Sequence, residues 1–294
     1  MEAVVGSTAV TVNGIQFDSR KVEFNDVFVA VRGTIVDGHK FISTATNQGA
    51  IAIICEELPE KIVNGITYVQ VQDSQMALAY MAANFYDNPS ANLKLVGVTG
   101  TNGKTTIATL LYSLFTKAGF KVGLLSTVKV MIADKELAAT HTTPDPLVIN
   151  SHLKMMNDEG VEFCFMEVSS HGIAQKRTSA LEFAGGVFTN LSHDHLDYHN
   201  TFAEYRDVKK SFFDKLPASA FALVNVDDRN GLVMIQNTKA RKYTYALKSY
   251  ADYSAQILEN QFSGLLLKLN GNEVWSKLIG TFNAYNLLAI YAVG

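Results

Sequence analysis

The stretch Lys94-Leu-Val-Gly-Val-Thr-Gly-Thr-Asn-Gly-Lys-Thr-Thr106 constrains this chain more than any other. Leu95 to Thr99 is a short β-rich apolar run, Gly100-Thr-Asn-Gly103 a tight loop, and Lys104-Thr105-Thr106 opens a helix. Ile107, Leu110, Leu111, Leu114 and Phe115 follow at the i, i+3, i+4, i+7, i+8 spacing of one helical face. Gly119 suits the C′ position that ends it. Strand, glycine loop and helix together are the context of a phosphate-binding loop. The glycines let backbone N–H groups close around an anion, and the helix N-terminus adds positive potential. Lys104 is expected to reach β- and γ-phosphates, and Thr105 to sit on Mg²⁺. The common form of this loop carries a further glycine where this chain has Val98, so the loop is a shorter variant.

Strand-like and helix-like segments alternate almost throughout, which predicts α/β architecture with mainly parallel sheets. Asp26–Val31, Ala50–Cys55 and Tyr68–Val71 read as strands, with helices over Lys40–Gln48 and Ser74–Tyr86. The turn cluster Asp87-Asn-Pro-Ser90 marks a boundary, predicting domains at 1–88 and 89–294. The second block continues through strands at Leu95–Thr99, Val122–Ser126, Phe163–Val168, Gly186–Thr189 and Phe221–Val226, with helices between them. From Tyr253 to Ile279 the apolar residues alternate, and Asn270-Gly-Asn272 signals a hairpin. The sequence stops at Gly294 within a helical pattern that starts near Asn283, as expected for the front part of a longer protein.

A chain of 294 residues can bury two cores, and 48% hydrophobic with 18% charged residues is ordinary for a globular protein. The net charge of −3 gives no electrostatic case for nucleic acid or an anionic membrane as partner. No apolar run approaches a membrane span, and Met1-Glu-Ala-Val4 lacks the basic start of a signal peptide. Cys55 and Cys164 lie within apolar runs and read as buried hydrophobes of a reducing compartment, so a cytoplasmic location is expected.

Three further constellations carry chemistry. Phe165-Met-Glu-Val-Ser-Ser-His171 delivers an acid, Glu167, on an apolar strand to the edge where parallel α/β sheets place ligands. A carboxylate there can hold the Mg²⁺ that bridges nucleotide phosphates, though an acid capping the next element reads the same way. Ser192-His-Asp-His-Leu-Asp-Tyr-His199 is the densest group of metal-ligating residue types. It fits a dinuclear hydrolase signature at His193, His195 and Asp197 but places His199 one residue late. A surface histidine cluster, or a single imidazole completing a Mg²⁺ site, are the other readings, with His195 the favoured ligand. In Tyr205-Arg-Asp-Val-Lys-Lys-Ser-Phe-Phe213 the default for the paired lysines is a solvated helical face. Thr140-His-Thr-Thr-Pro-Asp145 reads locally as a plain polar loop.

Thr99-Gly-Thr-Asn-Gly-Lys-Thr-Thr106, Met166-Glu-Val-Ser-Ser-His-Gly172 and Phe188-Thr-Asn-Leu-Ser-His-Asp-His-Leu-Asp-Tyr-His199 together resemble the ATP-dependent Mur ligases, which build the peptidoglycan stem peptide. Asp18-Ser-Arg20, Val27-Phe-Val-Ala-Val-Arg-Gly33, Asp37-Gly-His-Lys-Phe41, Thr142-Thr-Pro-Asp145 and Gln175-Lys-Arg177 resemble the branch that adds the third residue. The resemblance runs through essentially the whole chain in the same order.

It implies a UDP-sugar-binding N-terminal α/β domain and a central P-loop ATPase-type domain with an added β-hairpin region. It implies that Ser19, Phe17 and the backbone around Thr34, Ile35 and Val36 hold the uridine nucleotide. Thr142, Thr143, Ser169, Gln175 and Arg177 would grip the muramoyl-dipeptide, Arg177 through its carboxylate. Gly100, Thr101, Asn102, Gly103, Lys104, Thr105 and Thr106 would bind the ATP phosphates, with Asn283 and Asn286 on the adenine side. Glu167 and His195 would ligate Mg²⁺. Lys209 aligns with a carbamylated lysine (N6-carboxylysine), whose new carboxylate could hold a second Mg²⁺. The donor substrate implied is UDP-N-acetylmuramoyl-L-alanyl-D-glutamate, activated as an acyl phosphate and attacked by meso-diaminopimelate or L-lysine. Two departures stand out: His193 replaces a commoner arginine, and the third domain, whose Asp-Asn-Pro-Arg motif recognises the amino acid, is expected to be missing from this chain. The chain by itself is therefore expected to bind and not to ligate. A sibling ligase or folylpolyglutamate synthase, a zinc hydrolase and a non-catalytic nucleotide-binding module are the competing readings.

Overall fold

The computed structural model describes residues 2–34, 36–192 and 201–294. They divide into two compact units. The first comprises 1–88 with 146–150 and 175–180; the second comprises 89–145, 151–174 and 181–294. The two short excursions are not anticipated by a single boundary at residue 88.

In the first unit, β1 (Ala3–Val5), β2 (Ile15–Gln16), β3 (Val27–Val29), β4 (Ala52–Cys55) and β5 (Thr67–Gln70) form a sheet of order β1-β5-β4-β3-β2. Only the β1–β5 pairing is antiparallel. Helices α1 (Ile42–Asn47) and α2 (Ser74–Phe85) complete it. Successive strand residues serve opposite faces: Phe28, Ile53 and Tyr68 enter one core, while Val27, Val29 and Ile54 enter the other with Leu78 of α2. Leu147 joins the second core and Lys176 pairs with Asp73, the α2 N-cap, which ties both excursions to this unit.

The second unit begins with β6 (Lys94–Thr99), α3 (Lys104–Lys117) and β7 (Val122–Leu125). A hairpin of β8 (Lys129–Ile132) and β9 (Lys135–Ala138) follows, and the sequence reading had not foreseen it. Next come α4 (Pro146–Asp158), β10 (Phe163–Glu167), α5 (Ser170–Ala174), β11 (Gly185–Phe188), α6 (Phe202–Asp214) and β12 (Phe221–Asn225). The remainder is α7 (Gly231–Met234), β13 (Arg241–Ala246), β14 (Tyr253–Gln261), β15 (Gly264–Leu269), β16 (Asn272–Ser276) and α8 (Thr281–Val293). Strand β13 is a second element the sequence hid, because its first residues, Arg241 and Lys242, are charged and exposed.

Among the described residues these strands form an 11-stranded sheet, β16-β15-β14-β13-β12-β11-β6-β10-β7-β8-β9. Its centre, from β7 to β14, is parallel, and both margins are antiparallel. Asn270 and Gly271 have φ of 46° and 88°, and Leu269 pairs with Asn272, so the expected hairpin closes through two left-handed residues. Ile107, Ala108 and Leu111 of α3 and Ala284, Leu288 and Ala289 of α8 bury one face of the sheet. Against the other, Phe212 of α6 stacks edge-on to Phe183 with ring centroids 5.0 Å apart. Strand β6 lies between β10 and β11, so the chain leaves β6 at a topological switch point, where open α/β sheets place their ligands.

Candidate active site

The carboxyl ends of β6, β7, β10, β11 and β12 carry the polar loops of this site. Gly100 (φ +147°) and Gly103 (φ +91°) shape the loop after β6. A Cβ on Gly100 would collide with Thr189 Oγ1, and one on Gly103 would lie 2.6 Å from Asn286 Oδ1. Both positions therefore demand glycine for space as well as for backbone angle. The loop is tied to β11: Thr101 N–H donates to Asn190 O at 2.8 Å, and Asn102 N–H donates to Asn190 Oδ1 at 3.0 Å. Thr101 is buried, with its hydroxyl 3.1 Å from that of Tyr205. Lys104 Nζ donates to Gly100 O at 2.9 Å and Thr101 O at 2.8 Å, curling over the loop it belongs to.

Glu167 is fully buried at the end of β10. Its Oε2 accepts from Thr105 Oγ1 at 3.0 Å, and its Oε1 accepts from Thr127 N–H at 2.8 Å. A carboxylate beside a hydroxyl on a phosphate-type loop is a set of hard oxygen donors, the chemistry Mg²⁺ requires. The acid is thus no simple helix cap. Thr143 Oγ1 donates to Glu167 O at 2.9 Å and accepts from Ser169 N–H at 3.0 Å, while the hydroxyls of Thr142 and Thr127 lie 3.0 Å apart. Thr142, Thr143 and Ser169 therefore join the same network as Glu167, which their loop-like sequence did not reveal.

Lys209 overturns its default reading as a solvated lysine. It is 1% exposed, and its Nζ donates to Gly100 O at 3.1 Å and to Thr99 Oγ1 at 3.4 Å, 4.9 Å above the Tyr205 ring. Its neighbour Lys210 behaves differently, pairing with Asp214 at 2.7 Å along the helix surface. The spacing of α6 explains the split: Tyr205, Lys209, Phe212 and Phe213 share the buried face.

Beside the loop lies a cleft of about 760 Å³. Asn102, Gly103, Thr106 and Asn286 line it, together with Asp227, Tyr285 and Phe282, which sequence reasoning missed. Asn283 and Asn286 are buried, Asn286 Nδ2 donating to Asn283 Oδ1 at 3.0 Å. The signal for the missed acids was available: Asn225-Val-Asp-Asp228 ends a parallel strand just as Glu167 does. Asp227 accepts from the N–H groups of Leu247, Lys248 and Ser249 at 2.8–2.9 Å and from Tyr285 Oη at 2.8 Å. Burial pushes its carboxyl upward, but the hydrogen bonds from Ser249, Tyr285, Leu247 and Lys248 outweigh it and hold the pKa at about 2. Asp228 anchors the chain after β11, accepting from Leu191 N–H at 2.8 Å.

Phe17, Ser19, Thr34, Val36, Gln175 and Arg177 lie in the first unit. Ser19 is buried in a short 3₁₀ turn capped by Asp18, whereas Phe17, Thr34 and Val36 are exposed. Arg177 Nε donates to Gln175 Oε1 at 3.0 Å. Ile35, His193 and His195 lie outside the described residues. Cys55 and Cys164 are buried, and desolvation raises both thiols, Cys55 to about 11, as expected of inert core residues.

The description "Mur ligase middle domain" matches residues 98–294, and "Mur ligase family, catalytic domain" matches residues 11–86. The chain belongs to the Mur ligase family. Two similar relatives are the UDP-N-acetylmuramoyl-L-alanyl-D-glutamate--2,6-diaminopimelate ligases of Bacteroides thetaiotaomicron and Cytophaga hutchinsonii. The first is 54% identical over 288 residues, 98% of this chain and 60% of the relative. The second is 55% identical over 291 residues, 99% and 60%. A solved structure of a ligase of the same name superposes with a TM-score of 0.84 at 29% identity, covering 96% of this chain and 59% of that one. The chain thus spans about 60% of the length of the Mur ligases it matches. Among the described residues, no helix is long and apolar enough to cross a membrane.

Proposed function

We propose that this chain provides the donor-substrate and ATP-binding parts of a cytoplasmic Mur ligase that joins a diamino acid to the D-glutamate of UDP-N-acetylmuramoyl-L-alanyl-D-glutamate. The observation that carries the reading is the buried Glu167 carboxylate, hydrogen-bonded to Thr105 of the glycine loop in a middle domain of this family. The names of the relatives at 54% and 55% identity favour 2,6-diaminopimelate over L-lysine as the amine.

Gly100 to Thr106 cradle the ATP phosphates with loop N–H groups and the α3 N-terminus. Lys104 swings from its own loop carbonyls to the phosphates and offsets charge that builds during phosphoryl transfer. Thr105 and Glu167 hold Mg²⁺, which when bound neutralises phosphate charge and aligns the transferring group. His195 is a further ligand in this reading. Asn283 and Asn286 present amides on the adenine side of the cleft. Phe17, Ser19 and the 34–36 segment hold the uridine end; Thr142, Thr143, Ser169, Gln175 and Arg177 grip the dipeptide and set its D-glutamate carboxylate for activation as an acyl phosphate. Carbamylation of Lys209 is part of the proposal. Two ammonium groups, Lys104 and Lys209, donate to the single carbonyl of Gly100, and converting one to a carbamate replaces like-charge crowding with attraction.

Calorimetric titration of the chain with ATP plus Mg²⁺, and separately with the UDP-dipeptide, tests the reading. Saturable binding of both is expected, with phosphate release remaining low when either diamino acid is added. Absence of binding by a cooperatively folding protein would overturn it. Steady amine-dependent phosphate release would show that this chain carries an acceptor site of its own. Tight stoichiometric zinc would instead favour the hydrolase reading.

A further inference from the structure

The carboxylate of Glu167 has a second hold besides the phosphate loop. Strand β7 turns back into β8 at Thr127-Val128, with Leu125 paired to Val130 and Ser126 N–H donating to Lys129 O at 3.2 Å. Ser126 Oγ also donates to Lys129 O at 2.8 Å, pinning the turn beneath its tip. From that fixed tip Thr127 meets Glu167 twice, through its N–H on Oε1 at 2.8 Å and its hydroxyl on Oε2 at 3.2 Å. The same hydroxyl lies 3.0 Å from Thr142 Oγ1.

A hydroxyl carries one proton, and an ionised carboxylate only accepts. Thr127 therefore gives its proton to Glu167, and Thr142 gives its own to Thr127. The result is a directed chain, Thr142 to Thr127 to Glu167. The other side-chain donor on the carboxylate, Thr105, belongs to the phosphate loop, and its oxygen has lone pairs to turn to a cation while its proton stays on Glu167. Thr127 is the holder that stands outside that loop, fixed on the β7–β8 turn and meeting the carboxylate twice.

We propose that Thr127 is a positioning residue that keeps Glu167 aimed at the cation, and that it links this carboxylate to the Thr142 segment. The inference rests on the reading of Glu167 as a Mg²⁺ carboxylate. Groups that orient metal ligands in this way are commonly worth 10- to 100-fold in metal affinity.

The test uses the gain in ADP affinity on adding Mg²⁺, measured calorimetrically as the ratio of dissociation constants in EDTA and in saturating Mg²⁺. Thr127 is exposed, so Thr127→Val should leave the thermal midpoint and the metal-free affinity unchanged. The Mg²⁺ gain should fall about tenfold, and Thr127→Ser should restore it to within about threefold. Thr127→Ala gives the same reading if the valine variant folds poorly. An undiminished gain in the valine and alanine variants, an equal loss with and without metal, or failure of serine to rescue would each overturn the proposal. Glu167→Gln separates the two levels. If it retains the full Mg²⁺ gain, the metal reading itself is wrong; if it loses the gain while Thr127→Val keeps it, only the role of Thr127 falls.

Discussion

The carboxyl edge of the central sheet and the proposed uridine segments of the N-terminal unit are built on different principles. At the sheet edge the functional groups are inside: Glu167 is 0% and Lys209 1% exposed, each held by partners from several elements. In the N-terminal unit Phe17 is 38% and Val36 52% exposed, and Arg20 makes its ion pair with Asp18 in solvent. Buried polar groups must satisfy one another, so the first region is rigidly specified and intolerant of change. The second is a surface whose shape is set by short turns, and water can replace most of what a substitution removes there.

The largest effect that would sharpen this contrast is on ligand binding. Lys104→Ala should weaken ATP on the order of a hundredfold, because a desolvated cation–phosphate contact is lost. Affinity for the UDP-dipeptide, whose proposed contacts are elsewhere, should be unchanged in the same calorimetric series. Equal loss of both ligands would erase the distinction. Next in size is Gly100→Ala, which forces a side chain into a positive-φ position against Thr189 and Asn190. A cost of about 2–4 kcal/mol is expected, read as a lowered denaturant midpoint. A near-neutral result would show that the loop is less constrained than its contacts indicate.

The same contrast governs what could be read from the sequence. The glycine loop, α3 and β10 were legible because local pattern and final environment agree: glycines where φ is positive, apolar residues where the sheet is buried. Lys209 was not, since a lysine pair on an amphipathic helix looks solvated until Phe212 and Phe213 turn its face inward. The link from Thr142 through Thr127 to Glu167 was invisible for another reason. It is made by hydrogen bonds spanning 15 and 40 residues, and a threonine in a loop carries no local mark of such a partner. Strand β13 and the β8–β9 hairpin escaped because a marginal strand draws its identity from the neighbour it pairs with.

A smaller effect probes stability at the sheet edge. Asp227 accepts three backbone N–H groups and the Tyr285 hydroxyl, and Asp227→Asn should cost about 1–2 kcal/mol. Its folded carboxyl titrates at about 2, below the ordinary 3.8. A depressed carboxyl contributes its stability above the unfolded value and loses it as pH falls through the folded one. The gap in thermal midpoint between wild type and variant should therefore be full at pH 5 and narrow progressively from about pH 4 toward pH 2. A gap that persists unchanged to pH 2 would mean that packing, not charge, makes Asp227 matter.

The smallest effect is the counterpart in the N-terminal unit. Asp18 is also held at about 2, chiefly by side-chain hydrogen bonds from Arg20 that burial opposes. Yet the Arg20 side chain is 86% exposed and Asp18 24%, so water and salt compete for both partners. Asn at this position still caps the turn that positions Ser19, because its amide oxygen can accept from the Arg20 N–H as the carboxylate does now at 3.1 Å. At high salt, where screening removes most of the acid-pH dependence that a depressed exposed carboxyl carries, Asp18→Asn should move the thermal midpoint by no more than about 2 °C. Two carboxyls depressed alike at low salt would then differ once salt screens the exposed Arg20 partner, while the backbone N–H groups on Asp227 stay in place. Loss of stability equal to that of Asp227→Asn under those conditions would break the comparison, since the exposed Arg20 partner could no longer explain why the two positions respond differently to substitution.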